Sequence, residues 1–230
     1  MGLFTQYCIT MTDIEFDWNR QRRTGIAEAV LCSGKSSAQV HTILEAANER
    51  KVSLLLTRLD SRDSEMYRSD FDNLRIHSES ATAILDNGLP EPVHSDCLVV
   101  TAGSSDSRVA TEAQQTLHYY GLTVPIVGDC GVAGLWRLTD KIERLSKAPV
   151  IIAVAGMEGA LFSVLAGMVP GLVIAVPSSN GYGVAEGGKA ALSSALASCA
   201  PGVVSVNIDN GFGAACALLK MQRAILDATL

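Results

Sequence analysis

Five short segments collect most of the side chains able to do chemistry. They are Gly103-Ser104-Ser105-Asp106, Gly128-Asp129-Cys130-Gly131, Gly156-Met157-Glu158-Gly159, Ser178-Ser179-Asn180-Gly181-Tyr182-Gly183 and Asp209-Asn210-Gly211-Phe212-Gly213. Four of them carry a carboxylate: Asp106, Asp129, Glu158 and Asp209. Glycine lets backbone N–H groups come close to a ligand, and helix N-termini attract phosphate. Ser104 and Ser105 stand just before a helical pattern, so they either cap it or hold a phosphate. Any one of these segments also reads as an ordinary tight turn. Five in one chain point to a nucleotide-like ligand.

The thiols are the other candidates. Cysteines stand at 8, 32, 97, 130, 199 and 216, with no CxxC pair, so a zinc ribbon is disfavoured. Cys199 precedes Ala200-Pro201-Gly202 and is either a small packing residue or a nucleophile. Cys130, in a turn, is its rival, and Cys216 reads as core. The four histidines, His41, His77, His94 and His118, all lie outside the five segments, against a histidine-based triad or zinc site there. GxGxxG after the first strand, GxxxxGK[ST] and GxSxG are all absent.

What must position these residues is a repeated pattern of apolar strand, polar turn and helix. The strands are predicted at Cys97–Ala102, Leu122–Val127, Val150–Ala155, Leu172–Val176 and Val203–Ile208. The helices are predicted at Arg108–Tyr120, Val132–Ser146, Ala160–Met168, Gly187–Cys199 and Gly213–Leu226. Continuous apolar strands alternating with helices imply an α/β, doubly wound, flavodoxin-like parallel sheet of about five strands. Each of the five segments then sits at a strand's carboxyl end, the edge where open α/β sheets bind ligands.

The first part of the chain differs. Residues Met1–Cys97 hold 25 charged side chains, against 17 in the longer remainder. A Gly- and Pro-containing stretch, Asn87–Asp96, separates the two. This gives a smaller α+β N-terminal domain over 1–90 and an α/β domain over 97–230. In the former, Ser36 or Ser37 caps a helix to about Arg50, with Val40, Ile43, Leu44 and Ala47 on one face. Ser53–Thr57 and Leu74–His77 read as strands, with a helix capped by Ser61 between them. Asp13–Arg23 reads as a charged surface, helical or mobile.

Composition removes several function classes. A net charge of −6 without a basic, aromatic-interleaved stripe argues against nucleic-acid binding. Ala148–Pro177 is nearly all apolar, but its glycines and prolines suit strand, helix and strand better than a membrane span. Met1–Thr12 lacks a basic, then apolar, leader, so a cytoplasmic location with reduced thiols is expected.

Val100–Asp106, Asp129–Gly134, Val154–Ala160, Ser198–Ala200 and Asn207–Ala215 together resemble the pyridinium-3,5-biscarboxylic acid mononucleotide synthases, over Leu98–Leu219. The same part is similar to the aminoimidazole ribonucleotide carboxylases. Ala27–Val40 and Ser53–Arg58 match the synthases more loosely, with Leu31-Cys32 where Tyr-Gly is expected. The resemblance implies carboxylation of C5 of the pyridinium ring of nicotinic acid adenine dinucleotide by CO2 or bicarbonate. It also implies cleavage of the phosphoanhydride, giving AMP and the biscarboxylated mononucleotide, a first step toward a nickel-pincer cofactor. It makes Cys199 the candidate nucleophile and Glu158 or Asp106 the candidate base. Ser104, Ser105, Asp129, Arg137, Gly156, Met157, Ser178, Asn180, Tyr182, Asn207, Asp209, Asn210 and Gly211 become candidate substrate contacts. Mg2+ near Asp106 or Glu158 and a homo-oligomer, an octamer by analogy, are further expectations. An aminoimidazole ribonucleotide carboxylase is disfavoured, because those enzymes carry a histidine in the second turn, where Gly128-Asp129-Cys130-Gly131 has none. A non-catalytic nucleotide-binding module is the other alternative.

Overall fold

The computed structural model describes residues 14–228. Cys8 and the leading segment Met1–Thr12 lie outside them.

The second half of the chain forms the expected parallel sheet. Its strands are β6 (Leu98–Thr101), β8 (Ile126–Val127), β9 (Val150–Ala155), β10 (Leu172–Pro177) and β11 (Val203–Ser205). Their spatial order is β11-β10-β9-β6-β8, every pairing parallel. Counted along the chain this is 2-1-3-4-5, the flavodoxin-like order. All six residues of β9 are buried, as a central strand covered on both faces requires. Helices α7 (Ala160–Ala166) and α8 (Lys189–Leu196) supply Phe162, Leu165 and Ala195 to one apolar layer. Helices α4 (Ser107–Tyr119) and α9 (Gly211–Ala228) supply Leu117 and Leu218 to the other. Burying the leucine and phenylalanine side chains contributes roughly 1.5–3 kcal/mol each.

Three segments depart from expectation. Val132–Ser146 is not one helix but a turn of 3-10 helix, Val132–Gly134, followed by α5 (Trp136–Thr139) and α6 (Ile142–Leu145). Between the two, the Lys141 ammonium donates to the carbonyls of Gly128 (2.6 Å) and Asp129 (3.1 Å), bending the segment over the second turn. Leu122–Val127 is split into β7 (Leu122–Thr123) and β8, because Pro125 lacks an N–H to continue the ladder. Helix α8 begins only after Gly187 and Gly188, both at positive φ.

The first half carries α1 (Arg20–Thr24), α2 (Ser37–Glu49) and α3 (Ser64–Asp70) with β1 (Val30–Leu31), β2 (Leu54–Thr57), β3 (Leu74–His77) and β4 (Thr82–Leu85). The sheet order is β1-β2-β4-β3, parallel at β1–β2 and antiparallel elsewhere. Ser36 caps α2 in a reciprocal box with Gln39, and the predicted face Val40, Ile43, Leu44 and Ala47 is buried. Asp60, rather than Ser61, caps the turn before α3. A short strand β5 (Val93–His94) pairs with β7 in parallel. The two halves are bonded directly: Tyr119 donates to the Ser53 carbonyl (2.8 Å), and Ala27 N–H donates to the Tyr120 hydroxyl (2.8 Å). Burial pushes the Tyr119 phenol up to about 12 and that of Tyr120 higher still, so both stay neutral.

Candidate active site

The chain order of the strands reverses between β6 and β9, and a groove of about 630 Å3 opens there. Its walls are the turns after β6, β8 and β9, with Asn180 from the turn after β10. Thus Ser105, Asp106, Asp129, Arg137, Gly156, Met157, Glu158 and Asn180 come together as the sequence suggested.

Asp106 sits on the groove floor and is only 3% exposed. Its Oδ2 accepts the Gly103 N–H at 3.0 Å, so the carboxylate, not Ser104 or Ser105, closes this turn. The Asn180 amide donates to the Ser105 carbonyl (2.8 Å), to Ser178 Oγ (2.7 Å) and, more distantly, to Asp106 Oδ1 (3.4 Å). Ser178 is fully buried, so its part is to hold Asn180. Gly156 has no side chain because a Cβ would meet the Asn180 carbonyl oxygen. That close approach lets Met157 N–H donate to the same oxygen at 2.9 Å.

Asp129, Met157 and Asp209 all have φ between 51° and 55°, in the left-handed region that non-glycine residues rarely adopt. Each lies in the turn after a sheet strand. Such conformations persist where neighbours over-determine them, and they gather at functional sites. Asp129 pairs with Arg137 at 2.9 Å on the exposed rim. Glu158 is exposed, on the opposite rim.

Other predicted residues are placed differently. Asp209 lines a notch beside the groove, where its carboxylate accepts Ser179 N–H at 2.8 Å. Asn210 caps α9 through Gly213 N–H (2.8 Å). At Gly211 a Cβ would meet α4 backbone, so this glycine serves helix packing. Asn207 accepts its neighbour's N–H, and Tyr182 is 78% exposed outside the groove. Cys130 is buried, with its thiol pushed up by burial, and belongs to the core. Cys216 is half-buried and its thiol is pushed up to about 12 by burial.

Cys199 is the one exposed thiol among the described residues. Helix α8 leads away from the carboxyl edge, and Cys199 follows its end. It stands three residues before Gly202, whose carbonyl accepts Val173 N–H at the start of β10. The adjacent Ser198 hydroxyl bonds Ser163 in α7 at 2.8 Å. The thiol therefore lies outside its own chain's groove.

Sequence reasoning missed Arg58, Arg108 and Glu112, which line the notch. Arg58 ends an apolar strand and Arg108 directly follows the Ser-Asp turn, a signal that was available. Burial pushes the Glu112 carboxyl above its usual range, against the pull of Arg58, the Phe212 and Gly211 N–H groups, and Arg108. Among the described residues, no three His, Cys, Asp or Glu side chains converge as a metal cage. Asp106 and Glu158 offer oxygen ligands of the kind Mg2+ shares with phosphate and water. No helix among these residues is long and apolar enough to cross a membrane.

A family model described as AIR carboxylase matches residues 96–228, and one described as LarB/PurE-like N-terminal domain matches 10–87. An uncharacterized protein of Methanocaldococcus jannaschii is 37% identical over 209 residues, covering 87% of this chain and 80% of the relative. A crystal structure of Treponema denticola PurE aligns at a TM-score of 0.38 and 17% identity, over 58% of this chain and 92% of that one. A crystal structure of a PurE2 variant from the same organism aligns at a TM-score of 0.36 and 20% identity, over 61% and 98%. The chain belongs to the LarB family, whose C-terminal domain is of the AIR carboxylase type.

Proposed function

We propose that this carboxylase-family protein carboxylates C5 of the pyridinium ring of nicotinic acid adenine dinucleotide and hydrolyses its phosphoanhydride. One observation supports this most: the groove at the β6/β9 reversal has carboxylates and open backbone but no histidine. His77 and His118 line a separate cavity. A histidine-dependent carboxylase would carry its histidine in the turn after β8, where Gly128-Asp129-Cys130-Gly131 has none.

A pyridinium C5 is too electron-poor to attack CO2. Addition of the Cys199 thiolate at C4 breaks aromaticity and leaves a neutral enamine. The C5=C6 π pair, pushed by the ring nitrogen's lone pair, then forms the new C–C bond to CO2, giving a ring iminium. Glu158 takes the C5 proton, which restores the enamine, and expulsion of the thiolate from C4 restores the pyridinium. Glu158 suits the base because it is exposed on the rim, while Asp106 is held by the Gly103 N–H on the floor. Water attack on one phosphorus then gives AMP and the biscarboxylated mononucleotide. Asp106 or Glu158 would be the oxygen ligands for Mg2+, which would supply charge neutralisation for phosphoanhydride cleavage.

Because Cys199 lies outside its own groove, a second copy of the chain must deliver it. Apolar side chains around α8 support a homo-oligomer: Val184 is 99% exposed, Tyr182 78% and Leu196 71%. Incubation with the dinucleotide, followed by chromatography of nucleotides, tests the reading. AMP release that Glu158→Gln and Cys199→Ala both abolish supports it. Clean binding without turnover favours a nucleotide-binding module.

A further inference from the structure

Strand β3 is an edge of the four-stranded sheet, and it turns two basic side chains toward the other half of the chain. Arg75 and His77 are two residues apart, so they share one side of the strand. Arg75 stands opposite Ile84 of β4 in the antiparallel register, which puts Ile84 on that side too. Ile84 packs with Leu55 and Tyr119, so this side of the sheet faces α4. From α4, Gln114, Gln115 and His118 face back, about one turn apart. Between the two elements lies a cavity of about 200 Å3, lined also by Leu89 of the linking stretch and by Leu122 and Val124.

The charge of this cavity is one-sided. Burial holds the His77 imidazole below the usual histidine range, and His118 and Arg75 beside it push the same way. Asp86 reaches Arg75 at 3.1 Å, but it does not line the cavity, and its other oxygen accepts the Gly88 and Leu89 N–H groups, both at 3.1 Å. Gln115 adds a buried amide oxygen with no hydrogen-bond partner among the described residues. A contact built for adhesion alone would set apolar side chains here, because buried polar groups without partners cost stability. Two imidazoles and a guanidinium are instead the donors that a carboxylate takes. The apolar walls suit a hydrocarbon body attached to it.

We propose that this cavity binds a small organic acid, its carboxylate on Arg75, His77 and His118 and its apolar body against Ile84, Leu122 and Val124, bridging the two halves of the chain. It shares no residue with the groove, so it stands or falls apart from the dinucleotide reading. Binding draws protons onto the imidazoles, so it tightens as the pH falls. Arg75 stays protonated and Asp86 ionised throughout, which leaves His77 and His118 as the groups that titrate.

Titration calorimetry of the full-length protein with benzoate, at pH 6 and at pH 8, tests this. Benzoate is expected to bind at least fivefold more tightly at pH 6. His77→Gln and His118→Gln are each expected to weaken it at least fivefold at that pH, with melting curves close to the parent's. In the unaltered protein, benzoate should move the ring resonances of His77 and His118 and leave those of His41 and His94 in place, a readout that holds even where a variant is destabilised. Inorganic phosphate should bind at least fivefold more weakly than benzoate. Equal or tighter phosphate binding overturns the organic acid. Affinity unchanged in both variants overturns the site, as does the absence of both heat and resonance shifts.

Discussion

The Asn180 amide donates to the Ser105 carbonyl at 2.8 Å, joining the turn after β10 to the turn after β6 across the end of β9. The Asn180 backbone carbonyl rests against Gly156, whose missing side chain makes the approach possible. The groove floor is therefore one hydrogen-bonded piece, not three independent loops.

Gly156→Ala tests that unity. The new methyl meets the Asn180 carbonyl oxygen, so the turn after β10 must lift. Overpacking of this kind costs about 1–3 kcal/mol. A lower melting temperature and a loss of AMP release are expected together. An unaffected melting curve contradicts the described geometry.

Delivery of Cys199 by a second copy makes a sharper forecast. Cys199→Ala and Glu158→Gln chains should each be inactive. Co-expressed with different affinity tags, they should form mixed assemblies in which some grooves keep Glu158 and receive an intact Cys199. Activity in doubly purified assemblies is the expected result. If nucleophile and base come from one chain, no mixed assembly is active.

Reactivity should follow exposure. In a Cys8→Ser background, a small alkylating reagent should label Cys199 well before Cys32 or Cys216, whose thiols burial pushes up to about 12. Peptide mass mapping over time reads this order. Faster labelling of Cys32 counts against the described packing.

Glu112 gives a pH signature of stability. Its carboxyl holds a proton more tightly folded than unfolded, chiefly through burial. Its ordinary value is about 4.3, so stability falls as the pH rises from there to the higher folded value, then levels off. Glu112→Gln removes that fall. Its melting temperature should gain on the parent's as the pH goes from 4 to 7, and a constant difference would count against it.

Much of this was legible beforehand because a parallel sheet writes itself plainly. Buried strands are continuous apolar runs, and Gly-rich turns follow them, so the carboxyl edge could be read off directly. Interactions distant in sequence were not legible. Nothing near Val132–Ser146 announces that Lys141 binds back to Gly128, or near Pro125 that its carbonyl serves β6. Asn210 looked like a ligand contact and is a helix cap, since an amide at a turn suits both. The turn motifs raised attention to the edge alone, so Arg58 and Arg108, which line the adjoining notch, escaped notice.

The most direct measurement is mass spectrometry of products formed from nicotinic acid adenine dinucleotide, Mg2+ and isotopically labelled bicarbonate. The predicted products are AMP and a mononucleotide carrying one labelled carboxylate, both absent with Cys199→Ala. AMP beside an unlabelled nicotinate mononucleotide would reduce the protein to a phosphoanhydride hydrolase and contradict the thiolate chemistry.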